Sequence, residues 1–151
     1  WIGKKFNFRT KFIDLGTKIN KYVTDWTYKK IIQHNPKIIK RSFLVIGVAY
    51  KKNINDYRES PSVQIIKKLS KKKKFKIDYF DPYIPEIELK KNKKMKSIKN
   101  ISKKILQKYS CVIILTNHDV INYNLVLKNS KIIFDTRGDY ESIINKKIIK
   151  I

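Results

Sequence analysis

Apolar residues recur along this chain in two rhythms, and the change between them divides it. In the first part they fall at Phe12, Leu15, Ile19, Tyr22, Val23, Trp26 and Ile31. Steps of three and four put these side chains on one side of a long helix. Asn35-Pro36 predicts its end, because the residue before a proline is pushed out of the helical region. A lone helix cannot bury its own stripe. The stripe therefore packs either on the rest of this chain or on a partner surface, outside the chain or in a second subunit.

From Ser42 onward the rhythm changes to short apolar runs separated by helical spacings. Phe43–Val48, Phe75–Phe80, Cys111–Leu115 and Lys131–Phe134 predict buried strands. Ser60–Ser70 predicts a helix, with Ser60 as N-cap, Pro61 at the first helical position and Val63, Ile66 and Leu69 on one face. Ile98, Ile101, Ile105 and Tyr109 keep helical spacing, and Val120–Leu127 predicts a short helix. Asp81-Pro82 is a turn pair, and the charged stretch Glu86–Lys96 predicts an irregular loop. Apolar strands alternating with helices predict an α/β fold, a Rossmann-like doubly wound parallel sheet preceded by a long helix. The boundary falls between residues 1–36 and 37–151.

In such sheets ligands bind beyond the carboxyl ends of the strands. The residues there are Tyr50-Lys51-Lys52, Asp81-Pro82-Tyr83, Thr116-Asn117-His118-Asp119 and Asp135-Thr136-Arg137-Gly138. All four stretches are polar and two carry cations, which suits an anionic small molecule such as a nucleoside diphosphate. Nearby, Asp56-x-Arg58 adds a guanidinium that can present a planar fork, while Lys51 and Lys52 present point charges.

The formal charge of +24 raises a second class of function, a basic module binding nucleic acid without catalysis. Composition weakens that reading. Of the 36 basic residues 32 are lysine, and Ile and Asn are also abundant. These residues share AT-rich codons, so base composition accounts for the bias, and the lysines at 71–74 and 90–96 read as solvated faces. The expected partners thus exclude nucleic acid. The arginines, Arg9, Arg41, Arg58 and Arg137, become more informative, marking places that need bidentate geometry.

Other chemistry is sparse. One cysteine excludes an internal disulfide framework, and two histidines with one cysteine, far apart, give no zinc spacing. Cys111 opens an apolar strand and reads as a core residue, not a nucleophile. The glycines Gly3, Gly16, Gly47 and Gly138 cannot spell G-x-G-x-x-G or a Walker A loop, so any dinucleotide is held mainly elsewhere. No apolar run of about eighteen residues exists to span a membrane. With no signal pattern at the start, a cytoplasmic location is expected. The first residue, Trp1, predicts a piece of a longer chain.

The stretch Gly47–Pro61, GVAYKKNINDYRESP, resembles the entry to the C-terminal, nucleotide-sugar-binding domain of the UDP-glucose/GDP-mannose dehydrogenases, nearest to the branch that oxidises UDP-N-acetylhexosamines. RTKFIDLGTKIN (Arg9–Asn20) resembles the end of that family's central helical region, which links two α/β domains and forms the dimer interface. The resemblance implies that residues 1–36 end this helical region and that residues 37–151 form the UDP-binding domain of a homodimer. It implies an oxidation of a UDP-sugar C6 alcohol to the acid with NAD, the catalytic cysteine and main NAD domain lying upstream of Trp1. No catalytic residue is then expected in this chain. Tyr50 and Lys51 match the family's aromatic-Lys pair at the UDP-sugar, Arg137 the arginine of its closing D-x-R stretch, and Arg58 the arginine reaching the NAD side. His118 matches a T-x-H stretch near the nucleotide; on its own chemistry it is a base, a helix cap shared with Asp119, or a polar loop residue. Tyr50 stands where many members have Phe, Asn53 where an acid is common, and Gly138 where Asn is frequent; none of these departures touches the cations.

Overall fold

The computed structural model describes residues 11–34 and 41–151. Trp1, Arg9, Asn35 and Pro36, used above to mark the start and end of the first helix, lie outside them. The elements run α1 (Lys11–Gln33), β1 (Arg41–Ile46), α2 (Pro61–Ser70), β2 (Phe75–Phe80), β3 (Glu86–Lys90), β4 (Lys93–Lys96), α3 (Lys103–Leu106), β5 (Cys111–Ile114), α4 (Tyr123–Asn129), β6 (Ile133–Asp135) and β7 (Ile148–Lys150). Five strands form one parallel sheet in the order β2-β1-β5-β6-β7.

The sheet is covered on both faces, which is why its central strands β1 and β5 carry continuous apolar runs, Phe43–Ile46 and Cys111–Ile114. Phe43, Val45, Cys111 and Ile113 point to one side, where Val63, Ile66 and Leu69 of α2 and Ile31 of α1 meet them. Leu44, Ile46, Val112 and Ile114 point to the other, against Leu106, Val126 and Ile133. Full burial of each large side chain stabilises the fold by roughly 1.5–3 kcal/mol. The doubly wound α/β expectation therefore holds. Helix α2 starts as its sequence predicts: Pro61 opens it, and the Ser60 hydroxyl accepts the Ser62 N–H at 3.2 Å.

Helix α1 carries two faces rather than one. Thr24, Thr27 and Ile31 are buried, Tyr28 and Ile32 pack on the first core, and Asp25 pairs with Lys68 of α2 at 2.7 Å. Phe12, Leu15, Ile19, Tyr22, Val23 and Trp26 stay exposed, Phe12 at 88%. Only Ile31 of the predicted stripe reaches this domain's core.

Three local expectations are corrected. The stretch 86–96 is an antiparallel hairpin, β3 with β4, not an irregular loop. Ile87 and Leu89 alternate inward between charged neighbours, and Asn92 supplies the left-handed turn residue at φ 64°. The helical spacing from Ile98 to Tyr109 yields only the single turn of α3, because Ile98 instead donates its N–H to the Tyr79 carbonyl at 2.9 Å. The helix placed at Val120–Leu127 begins at Tyr123, where Asn122 caps it by accepting the Leu125 N–H at 2.9 Å. The sheet also gains β7, an edge strand beyond the four predicted from sequence.

One buried carboxylate fastens the carboxyl end of the sheet. Asp81, just past β2, accepts the Val48 and Ala49 N–H groups on Oδ2 at 2.6 and 3.0 Å, and those of Tyr83 and Ile84 on Oδ1 at 2.9 and 3.0 Å. The His118 ring adds a fifth bond to Oδ2 at 3.0 Å. Burial pushes this carboxyl up, but the His118 bond and the backbone donors from Val48 and Tyr83 outweigh it and hold it below the ordinary carboxylate range. Gly47 then lets β1 and β5 close together. Its φ is +79°, and a Cβ there would collide with the Thr116 carbonyl.

Two consequences are measurable by denaturant unfolding. Gly47→Ala combines a left-handed backbone with a clash against main chain and should cost about 3 kcal/mol or more; a change below 1 kcal/mol would show that the two strands separate easily. Asp81→Asn turns an amide toward donors and should cost about 3 kcal/mol at neutral pH. Because the folded Asp81 carboxyl sits below its unfolded value, its contribution is complete above the unfolded carboxylate range near pH 4 and is lost as pH falls through the folded value. The gap between native protein and Asp81→Asn should accordingly narrow in acid, and a gap that widened there would contradict this account.

Candidate functional site

The residues at the carboxyl ends of β1, β5 and β6 form a contiguous rim. After β1 the chain makes a long loop, Gly47–Ser60, closed on itself where Tyr50 N–H donates to the Asp56 carbonyl at 2.7 Å. Asp56 also accepts both Nε and Nη2 of Arg58, at 3.0 and 2.8 Å. The Arg58 side chain and then its backbone N–H pull the Asp56 carboxyl down to about 2. The Arg58 side chain is nonetheless 86% exposed, so the fork is held in one orientation at the surface. Asn53 and Glu59 both take positive φ, 61° and 55°, unusual for non-glycine residues and a mark of a loop whose shape is imposed.

That shape is imposed from β5. His118 is fully buried, and its Nδ1 accepts the Asn53 backbone N–H at 2.9 Å. A backbone N–H can only donate, so the ring proton resides on Nε2, which gives it to Asp81. Both nitrogens are thereby occupied, and no lone pair remains for a general base. The capping reading fails as well, since Asn122 holds that place. The Tyr83 ring lies against the imidazole at 5.1 Å between centroids. Outside this buried bond, Asn53 and Asp119 exchange side-chain and backbone hydrogen bonds at 2.6 and 3.1 Å, and Lys52 pairs with Asp119 at 3.0 Å. Lys52 and then Asn53 lower the Asp119 carboxyl.

After β6 a second strand-end aspartate repeats the device. Asp135 accepts the Arg137 and Gly138 N–H groups on Oδ1, both at 3.0 Å, and the Tyr140 N–H on Oδ2 at 2.8 Å. Gly138 takes φ +78° with space around it, so conformation and not crowding favours glycine there. Arg137 donates Nε to the Leu115 carbonyl, which anchors the stem and leaves its Nη groups without hydrogen bonds among the described residues.

The structure thus brings the loops of Lys51 and Arg137 to the same end of the sheet; they leave β1 and β6, two strands that lie roughly 10 Å apart with β5 between them. Among the described residues the Lys51 ammonium has neither an ion pair nor a hydrogen bond, in contrast to Lys52. Tyr50, 44% exposed, turns elsewhere. It lines a cavity of about 530 Å³ with Thr17, Asn20 and Thr24 of α1 and Gln64 of α2, a cavity that Lys51, Arg58 and Arg137 do not line. Sequence reasoning did not single out Asn53 or Asp119 as a pair; Asn53, able to take a left-handed backbone, was the available signal.

The ordinary dinucleotide cradle does not fit here. Between β1 and α2 lies a loop of fourteen residues rather than a tight glycine turn, and Gly47 is already pressed against Thr116, whose hydroxyl donates to the Ala49 carbonyl at 2.8 Å. Cys111 is buried in β5, facing the first core as a core residue would. No group of three or more potential metal ligands occurs among the described residues, and no helix among them is long and apolar enough to cross a membrane.

Comparison with known proteins agrees with this architecture. A UDP-N-acetyl-D-mannosamine dehydrogenase of Methanococcus vannielii is 29% identical over 139 residues, covering 85% of this chain and 30% of its own. The corresponding Methanococcus maripaludis (strain C7) protein is 29% identical over 149 residues, covering 91% and 32%. The chain therefore spans about a third of the length of these relatives. In fold it superimposes on the native UDP-N-acetyl-mannosamine dehydrogenase of Staphylococcus aureus, with a TM-score of 0.68 at 22% identity over 95% of this chain and 33% of that one. It also superimposes on a GDP-mannose dehydrogenase of Pseudomonas aeruginosa, with a TM-score of 0.72 at 15% identity over 98% and 35%. Residues 44–142, well over half of the chain, match the UDP-binding domain of the UDP-glucose/GDP-mannose dehydrogenase family, and the chain belongs to that family.

Proposed function

We propose that this chain is the nucleotide-sugar-binding part of a UDP-sugar 6-dehydrogenase and that Lys51 and Arg137 hold the diphosphate. The observation that carries this reading is the pair of cationic ends at one rim of the sheet, on loops whose backbones are fixed by Asp81 and Asp135. An unpaired ammonium and an anchored guanidinium suit a diphosphate, one as a point charge and the other as a planar donor. Tyr50, matched by resemblance to the family's aromatic-Lys pair, reaches the sugar-nucleotide only by turning out of the α1 cavity that Lys51 and Arg137 do not line, and Arg58 faces the NAD of the complete enzyme.

In that enzyme a UDP-N-acetylhexosamine is oxidised at C6 to the acid with two NAD⁺, the thiol and the main NAD site being supplied by segments other than this one. We place it in the cytoplasm, as a homodimer built on α1, in support of which stand the exposed Phe12, Leu15, Ile19 and Tyr22. The residue boundary between helical region and UDP-binding domain lies, on this reading, near 36/37. Family membership favours this reading over the basic nucleic-acid module that the charge alone suggests.

Calorimetric titration with UDP, UDP-N-acetylglucosamine and a short DNA duplex, at low and moderate salt, tests the reading. Both UDP ligands should bind, and Lys51→Ala or Arg137→Ala should each weaken binding about tenfold or more, the loss expected from a charge-assisted contact. Affinity for DNA that is tight and falls steeply with salt, with no response to UDP, would replace this reading by the basic module.

A further inference from the structure

Lys51 can serve a ligand only if its loop is held, and the restraints on that loop are unequal. Its entry is fixed where Thr116 donates to the Ala49 carbonyl, and its return where Tyr57 packs on the first core. The tip, Lys51–Asn53, is tied by two sets of bonds. The outer set joins Lys52 and the Asn53 side chain to Asp119, with the Lys52 and Asp119 side chains 57% and 63% exposed. Such solvated pairs restrain weakly. The inner tie is the Asn53 backbone N–H to Nδ1 of His118, a side chain with no exposure at all. His118 cannot turn away from that task, because its other nitrogen is committed to Asp81 and Tyr83 covers the ring. This tie lands on Asn53, two residues from Lys51 along the loop, and the left-handed Asn53 backbone is what aims the N–H inward.

We propose that His118 is a positioning residue for the nucleotide-sugar site: its Nδ1, by accepting the Asn53 N–H, sets the loop conformation that presents Lys51 to the ligand. The proposal rests on the nucleotide-sugar reading above and adds to it a residue that does not touch the ligand. The ring works as a two-ended spacer, with a donor at Nε2 gripping Asp81 and an acceptor at Nδ1 gripping the loop. Drawing Lys52 onto Asp119 leaves Lys51 as the cation available at the tip.

Two substitutions separate the ends of the ring. In His118→Asn the amide oxygen falls near the place of Nδ1, so the acceptor for Asn53 is kept while the Asp81 bond is lost. In His118→Gln the amide nitrogen reaches toward the place of Nε2, so Asp81 keeps its donor and Asn53 loses its acceptor. Asp81 retains four backbone donors in either case, which preserves the fold. UDP-N-acetylglucosamine is the probe, since its diphosphate has no group titrating near neutral pH, and amide exchange at Asn53 is read in parallel.

His118→Gln should weaken binding about tenfold and speed Asn53 exchange, while His118→Asn stays within about threefold of the native protein on both readouts. Asp119→Ala, which cuts only the outer set, should cost less than His118→Gln. Equal losses in the Asn and Gln variants, tracking their stability, would reduce His118 to a structural residue and overturn the proposal, as would a Gln variant with native affinity and native Asn53 protection. A native protein that binds no nucleotide would instead defeat the reading of function, and Asn53 exchange in the two variants would still decide whether His118 holds the loop.

Discussion

The Asp81 carboxylate receives five hydrogen bonds from three separate strand ends, and the arrangement of the proposed binding rim depends on it. A buried charge is tolerated only when donors surround it. Here those donors are the backbone groups that start the loop after β1, the turn after β2 and the ring after β5. Each of these segments would otherwise leave unpaired N–H groups at the end of a closed sheet, a cost the fold avoids by directing them to one acceptor. The carboxylate therefore does more than pair with a neighbour. It sets where the chain may go after three parallel strands, and Asp135 does the same after a fourth.

Much of this fold was legible because its strands are buried on both faces. Phe43–Val48 and Cys111–Leu115 are continuous apolar runs, Phe75–Phe80 at the sheet edge alternates with Lys76 and Asp78, and Ser60-Pro61 names the start of α2 without help from tertiary structure. The hairpin was hidden because its inward residues, Ile87 and Leu89, lie between Glu86, Glu88 and Lys90, and a charge run reads as solvent. β7 was hidden because three residues at a sheet edge carry almost no periodicity. α3 failed in the opposite way: regular spacing at Ile98, Ile101 and Ile105 arose from side chains packing on the second core from an extended strip and one helical turn.

Of the proposed site, the sequence showed the cations and not their supports. Lys51, Arg58 and Arg137 are visible as charged residues after strands, and the fold places the loops of Lys51 and Arg137 at one rim. His118 invited a chemical role because histidine usually earns its place through its ring nitrogens, and here both are spent on geometry. No property of T-N-H-D on its own reveals that its imidazole meets an aspartate 37 residues earlier in sequence and a backbone N–H 65 residues earlier. Such a contact follows from parallel topology, which brings distant loops to the same end of the sheet.

The excess of lysine sharpens the role of the anchored groups. With 36 basic and 12 acidic residues, most ammonium groups cannot find a carboxylate, and ion pairs such as Lys94–Glu86 at 2.7 Å leave the lysine 65% exposed. Their summed field attracts anions of every kind and is screened within about 8 Å at physiological salt. On the proposed reading, selectivity then comes from cations that are fixed in place. Arg137 meets that requirement in a way lysine could not, because Nε of its planar group is bound to the Leu115 carbonyl while its Nη donors make no hydrogen bond among the described residues. An ammonium in its place would either fold back onto the carbonyl or swing free. The same reasoning explains Arg58, whose fork is locked by Asp56 while its side chain stays at the surface. In a chain where positive charge is plentiful, what distinguishes the proposed rim is an anchored guanidinium at Arg137 set at the same sheet end as the unpaired ammonium of Lys51.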